Sequence, residues 1–154
     1  YHDNLDELKS AEQTIQISKD IKEKVYFLYE KYKITQEHEI LKKLINTIND
    51  NMNYPNVREF LDLKIGNETI FDIMIKLKID FSFKAMEYIC SQEDLLVKVI
   101  KNDDYRILNS ASEEDFFRNI DGISIFEYLI KNELFEVYWI SKFNSKIEIV
   151  EILK

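Results

Sequence analysis

The sequence predicts an all-α chain in which antiparallel helix pairs stack side by side behind an N-terminal helical cap. Three observations carry that expectation. Only two Gly and one Pro occur among 154 residues, too few for the tight turns of an all-β fold. Apolar residues recur at three- and four-residue spacing through most of the chain, the signature of helices with one buried face. Ser or Thr followed three residues later by an acid, a helix-start signal, precedes several of these stretches. An apolar content of 45%, with 13% aromatic residues, is enough to build a core and excludes disorder throughout.

Tyr1 to Ile17 is weakly patterned and predicts a short or frayed first helix. From Ser18 onward, Ile21, Val25, Leu28, Tyr29 and Tyr32 fall on one helical face. Thr35 is placed to cap the next helix, whose apolar stripe is Leu41, Leu44, Ile45 and Ile48. Asn49 to Asn56 reads as a break, and Pro55 suits the first turn of a short helix through Val57, Phe60 and Leu61. Residues 1–64 are therefore expected to form a helical segment that packs on residues 65–154.

Beyond residue 64 the chain resembles itself. Thr69 and Asp72 have capping-box spacing, as do Ser124 and Glu127 after the Asp121-Gly122 turn. FDIMIK from Phe71 lies under FEYLIK from Phe126, 55 positions on. LVKVIKNDDYRIL from Leu96 lies under FEYLIKNELFEVY at an offset of 30, which leaves 25 between the first two copies. The shared Ile-Lys-Asn ends one short helix and an acidic residue leads into the next. In the last copy Phe126, Leu129 and Ile130 mark the first helix, and Val137 and Ile140 the second. Such spacings point to helical-pair repeats, which bury their apolar faces only by stacking on neighbours.

The stretch Asp121 to Ile140 resembles an ankyrin repeat. Asp121, Gly122, Ser124 for Thr, Phe126 for Leu, Glu136 and Val137 occupy the matching positions. Glu148 to Leu153, EIVEIL, is similar to the second helix of that motif. The chain departs from the pattern at four places. Ile125 stands for Pro, Glu127 for His, and Leu129-Ile130 for a small Ala pair. Glu133 replaces the Gly that ends the first helix, so that turn is expected to be built differently. The resemblance covers residues 65–154, expected to form one continuous unit, and implies an α-solenoid whose surface binds another protein. It also implies that Asp72, Ile73 and Lys76, with Glu127, Tyr128 and Lys131, point into a concave groove. Phe116, Phe117 and Arg118, in the connection leading to Ile123, would lie on a projecting finger, where aromatic residues and Arg are favoured anchors. A competing assignment has Ser112 and Asp115 capping a short helix that sends Phe116 and Phe117 into the core. Trp139, next to Tyr138, reads first as core and second as an exposed anchor.

A net charge of −8 argues against general nucleic-acid and anionic-membrane partners, both of which select basic surfaces. The acidity itself reads first as solubility and second as complementarity to a basic partner. No apolar run approaches the roughly 20 residues that cross a bilayer. The lone cysteine, Cys90, lies in the apolar run AMEYIC and reads as a buried thiol. His38 in QEHEI lacks metal-motif spacing, His2 falls in a tail expected to be loose, and there is no Gly-rich phosphate loop. The expectation is thus a non-catalytic interaction module without metal or cofactor, cytoplasmic in the producing cell or, for an effector, in a host. The Ile-, Lys- and Asn-rich composition resembles proteins of AT-rich genomes, including intracellular bacteria and poxviruses, which points to a host-directed effector or host-range factor. Two alternatives are an acidic immunity or inhibitor protein that neutralises a basic toxin, and, since the chain does not open with Met, an excised helical segment of a larger enzyme.

Overall fold

No Gly or Pro interrupts residues 2–35, and Glu, Lys, Leu and Gln there propagate a helix at little cost. In the computed structural model, which describes residues 2–144, this stretch is a single 34-residue helix, α1 (His2–Thr35). The expectation of a short or frayed start, with His2 in a loose tail, is corrected. Apolar spacing reports which face is buried, whereas residues 4–17 are helical with no face buried. Packing tightens at Val25, Leu28 and Tyr29, which bury against α2 (His38–Asp50) and its stripe of Ile40, Leu41, Leu44, Ile45 and Ile48. Thr35 is not the cap of α2. It closes α1, and its Oγ1 accepts from the Glu37 N–H at 3.3 Å.

Pro55 opens α3 (Pro55–Arg58), which runs on as a 3-10 helix, Glu59–Asp62. Val57, Phe60 and Leu61 are buried, as the spacing predicted. A hairpin follows, β1 (Lys64–Ile65) and β2 (Glu68–Thr69), with Lys64 opposite Thr69. Gly66 supplies the positive φ, 67°, that its first loop position requires. The Tyr29 hydroxyl donates to the Lys64 carbonyl at 2.6 Å and ties α1 to this hairpin. Thr69 then caps α4 (Ile70–Lys76): its Oγ1 accepts from the Asp72 N–H at 3.1 Å, and the Asp72 carboxylate accepts from the Thr69 N–H at 3.3 Å.

The chain divides into two compact units, Tyr1–Ala85 and Met86–Lys154, and passes from one to the other within α5 (Phe83–Ser91). Residue 64 falls inside the first unit. The second unit carries α6 (Glu93–Lys101), a 3-10 helix Arg106–Ser110 and α7 (Glu113–Phe116). A second hairpin, β3 (Asn119–Ile120) with β4 (Ile123–Ser124), then leads to α8 (Ile125–Lys131) and the 3-10 helix Val137–Lys142. Asp121 and Gly122 form its two-residue loop with φ of 52° and 89°, the double positive of a type I′ turn. Among the described residues the chain is mostly helical, as expected, with two short hairpins added before α4 and α8.

Backbone bonds recur at the spacings seen in the sequence. The Ile70 N–H donates to the Leu63 carbonyl at 2.8 Å, and 55 residues on Ile125 donates to Arg118 at 2.9 Å. Helices α4, α6 and α8 end alike. Ile79 donates to the Met74 carbonyl, Asp104 to Val99 and Leu134 to Leu129, while Lys78, Asp103 and Glu133 donate to Ile75, Ile100 and Ile130. This crossed pair of bonds is the Schellman ending, which requires a left-handed residue. Lys78, Asp103 and Glu133 fill that place at φ 52°, 64° and 57°. The expected rebuilding of the turn at Glu133 is corrected: the usual turn is kept with a residue other than Gly.

Phe116, Phe126, Trp139 and Phe143 bury an aromatic core in the second unit, with Phe116 lying 5.7 Å from Trp139 and 5.1 Å from Phe143 between ring centroids. Trp139 and Phe143, four residues apart, are the buried pair around the last 3-10 helix. Val137 is 71% exposed, which corrects its expected place beside Ile140 on a buried face. The similarity noted at Glu148 to Leu153 lies outside the described residues.

Candidate protein-binding surface

The residues that sequence reasoning singled out separate into core, scaffold and surface. Phe116 is fully buried and belongs to the aromatic core, out of reach of a partner. Asp115, also buried, accepts from both the N–H and the hydroxyl of Ser112, at 2.9 and 3.1 Å, and fixes the start of α7. Arg118 is used internally: its Nε donates to the Cys90 carbonyl at 3.0 Å and to Asp115 at 3.1 Å. Phe117 is 52% exposed, but its inner part stacks on Phe126 at 6.0 Å. Ile123 is half-buried in β4. The residues expected to reach outward from this connection are thus mostly turned to internal contacts, and of them Phe117 alone presents a large exposed apolar surface.

Helix α4 shows a similar division. Asp72 is occupied in the capping box and Ile73 is half-buried. Lys76 is exposed and pairs with Glu68 of β2 at 3.1 Å.

On α8, Glu127 and Lys131 stand one turn apart and pair at 3.2 Å, with Tyr128 half-buried beside them. The Ser124 Oγ accepts from the Glu127 N–H at 3.0 Å, so Ser124 is the helix cap. The Glu127 carboxylate faces Lys131 as its ion-pair partner. Thirty residues earlier, Val97, Lys98 and Lys101 take the equivalent places on α6. The Lys101 Nζ reaches Asp121 in the hairpin loop at 2.7 Å and joins the end of α6 to β3–β4. Near that junction the Tyr105 hydroxyl donates to Asp103 at 2.8 Å. Its pKa is pushed up to about 12, first by burial and then by the Asp103 carboxylate. The α6 residues were missed as site candidates, although the Ile-Lys-Asn alignment at an offset of 30 already marked them.

The Lys101–Asp121 pair thus joins α6 to the β3–β4 loop, and the Glu127–Lys131 pair lies on α8 beside the half-buried Tyr128. Cys90 lies apart from both pairs. Only 1% exposed, its thiol donates to the Ile107 carbonyl at 3.3 Å, and burial, then the Asp115 carboxylate, push its pKa up to about 12. Among the described residues no group of three His, Cys, Asp or Glu side chains is placed to hold a metal ion, and no helix is long and apolar enough to cross a membrane. Comparison of the chain with protein-family models, with curated proteins and with solved structures finds no match.

Proposed function

We propose that the chain is a non-catalytic protein–protein interaction module built on degenerate ankyrin-like helix pairs, and that α6, the β3–β4 loop and α8 form its contact surface. The observation that carries this reading is the recurrence at α4, α6 and α8 of one helix ending, with hairpin and cap preserved before α4 and α8. A unit repeated with its scaffold kept and its outward residues varied is a scaffold for recognition. On α8 the outward residues are Glu127, Tyr128 and Lys131.

Exchanging the charges, Glu127→Lys with Lys131→Glu, preserves an ion pair within the helix and reverses what a partner meets. The exchange sets both charges against the helix dipole of α8, so it is expected to leave the helical circular dichroism unchanged and to lower the melting temperature only slightly. In affinity capture with quantitative mass spectrometry, at least one protein retained by the native chain should fall about tenfold with the exchanged one, the loss expected when a close charge pair becomes a like-charge clash. Identical capture profiles for the two chains would remove α8 from the contact surface.

A further inference from the structure

Outside the repeated segments, α1 carries a second stripe that its packing on α2 leaves uncovered. Ile17, Phe27 and Ile34 are 48%, 64% and 83% exposed and fall at coiled-coil spacing with Lys24 and Lys31 between them. Beside Phe27 the two helices leave an open groove of about 580 Å³ lined by Lys24, Phe27, Lys43, Asn46, Thr47 and Asp50. Lys31 stands 5.8 Å from the Phe27 ring centroid, and among the described residues neither Lys24 nor Lys43 has an ion-pair partner. Asp50 is the carboxylate in the groove lining, while on α1 Asp20 is engaged by the Gln16 side chain at 2.9 Å and Glu30 pairs with Lys33 at 3.4 Å. Lys24 and Lys43 thus line the groove with the exposed Phe27 ring, and Lys31 stands over that ring, so cations outnumber the one lining carboxylate in a chain whose net charge is −8.

We propose that this groove binds an acidic amphipathic helix of a partner protein. The spacing favours a helix: Ile17, Phe27 and Ile34 span about 26 Å along α1 at 1.5 Å per residue, and their heptad register is the one a packed partner helix matches. The charge selects acids, because Asp or Glu flanking the partner's apolar stripe meets Lys24, Lys31 and Lys43, where Lys or Arg is repelled. The groove lies on elements outside the α6–α8 surface, so either site can fail without the other.

The test is a phage-displayed library of 18-residue helices, with Leu at heptad positions a and d and the flanking positions random, selected against the full chain. Enriched sequences are expected to carry Asp and Glu beside the Leu stripe. As synthetic peptides they should bind at least tenfold more weakly to the Lys24→Glu/Lys43→Glu chain and to the Phe27→Ala chain, and more weakly as salt is raised. All three substitutions are at surface positions and should leave the melting curve unchanged. Selection that enriches nothing, that shows no acidic bias, or whose peptides bind the charge-reversed chain equally well overturns the proposal. A chain found dimeric by sedimentation and made monomeric by Phe27→Ala also overturns it, since a second copy would then fill the groove.

Discussion

Lys78, Asp103 and Glu133 each hold a left-handed backbone at the end of a short helix. For an L-residue that conformation costs on the order of 1–2 kcal/mol, and Asp bears it best because its short side chain bonds locally. Asp103 does so, accepting from Tyr105 at 2.8 Å. Among the described residues no side-chain hydrogen bond or ion pair offsets the strain at Glu133. Glu133→Gly is therefore expected to stabilise the chain by about 0.5–1 kcal/mol in urea unfolding, the gain being reduced by the greater freedom of Gly when unfolded. Glu133→Val should destabilise it instead. Cys90 makes the converse case, a residue whose reading from the sequence as a buried thiol matches its place in the fold. Its pKa is raised from 9.0 to about 12, so burial favours the neutral form. The stability this contributes is complete below pH 9 and is lost as pH rises toward 12. At pH 8 the native chain should resist iodoacetamide while the urea-unfolded chain is alkylated within minutes, as mass spectrometry would show.

At the scale of elements, what was legible depended on how local its cause is. Thr69 capping α4 and Pro55 opening α3 depend on neighbours a few residues away, and both were readable. The two hairpins were not, since their strands are two residues long and too short to show alternation. Helix α1 misleads for another reason: weak patterning over residues 4–17 suggests weak helicity, when it records exposure. Asn49 reads as part of a turn-rich break, but its partners lie more than thirty residues on. Its Oδ1 accepts from the Ser82 N–H at 2.9 Å and its Nδ2 donates to the Asp80 carbonyl at 3.0 Å. Ser82 in turn donates its hydroxyl to the Asn49 carbonyl at 2.6 Å and accepts from the Ala85 N–H at the start of α5. Asn49→Ala removes both part-buried bonds made by a buried side chain and is expected to cost about 1–3 kcal/mol by urea unfolding.

At the scale of the whole molecule, both units contain a hairpin followed by a capped helix, and three helices share one ending. The recurrence was legible because the offsets of 55 and 30 align cap, stripe and Ile-Lys-Asn in the sequence. The division of the candidate residues was not. Phe116 and Phe117 are chemically identical neighbours, and only the packing of α7 sends one inward and leaves the other half outside. Arg118 looks like an anchor in the sequence and is spent on Asp115 and Cys90. The interaction reading therefore rests on α6, the hairpin loop and α8. The most direct measurement replaces Tyr128 with a photoreactive benzophenone amino acid and, in a second chain, replaces the exposed Ser141. A cross-link to another protein from Tyr128, absent or much weaker from Ser141 under the same illumination, is what the account predicts. Equal cross-linking from the two positions, or cross-linking from Ser141 alone, would contradict it.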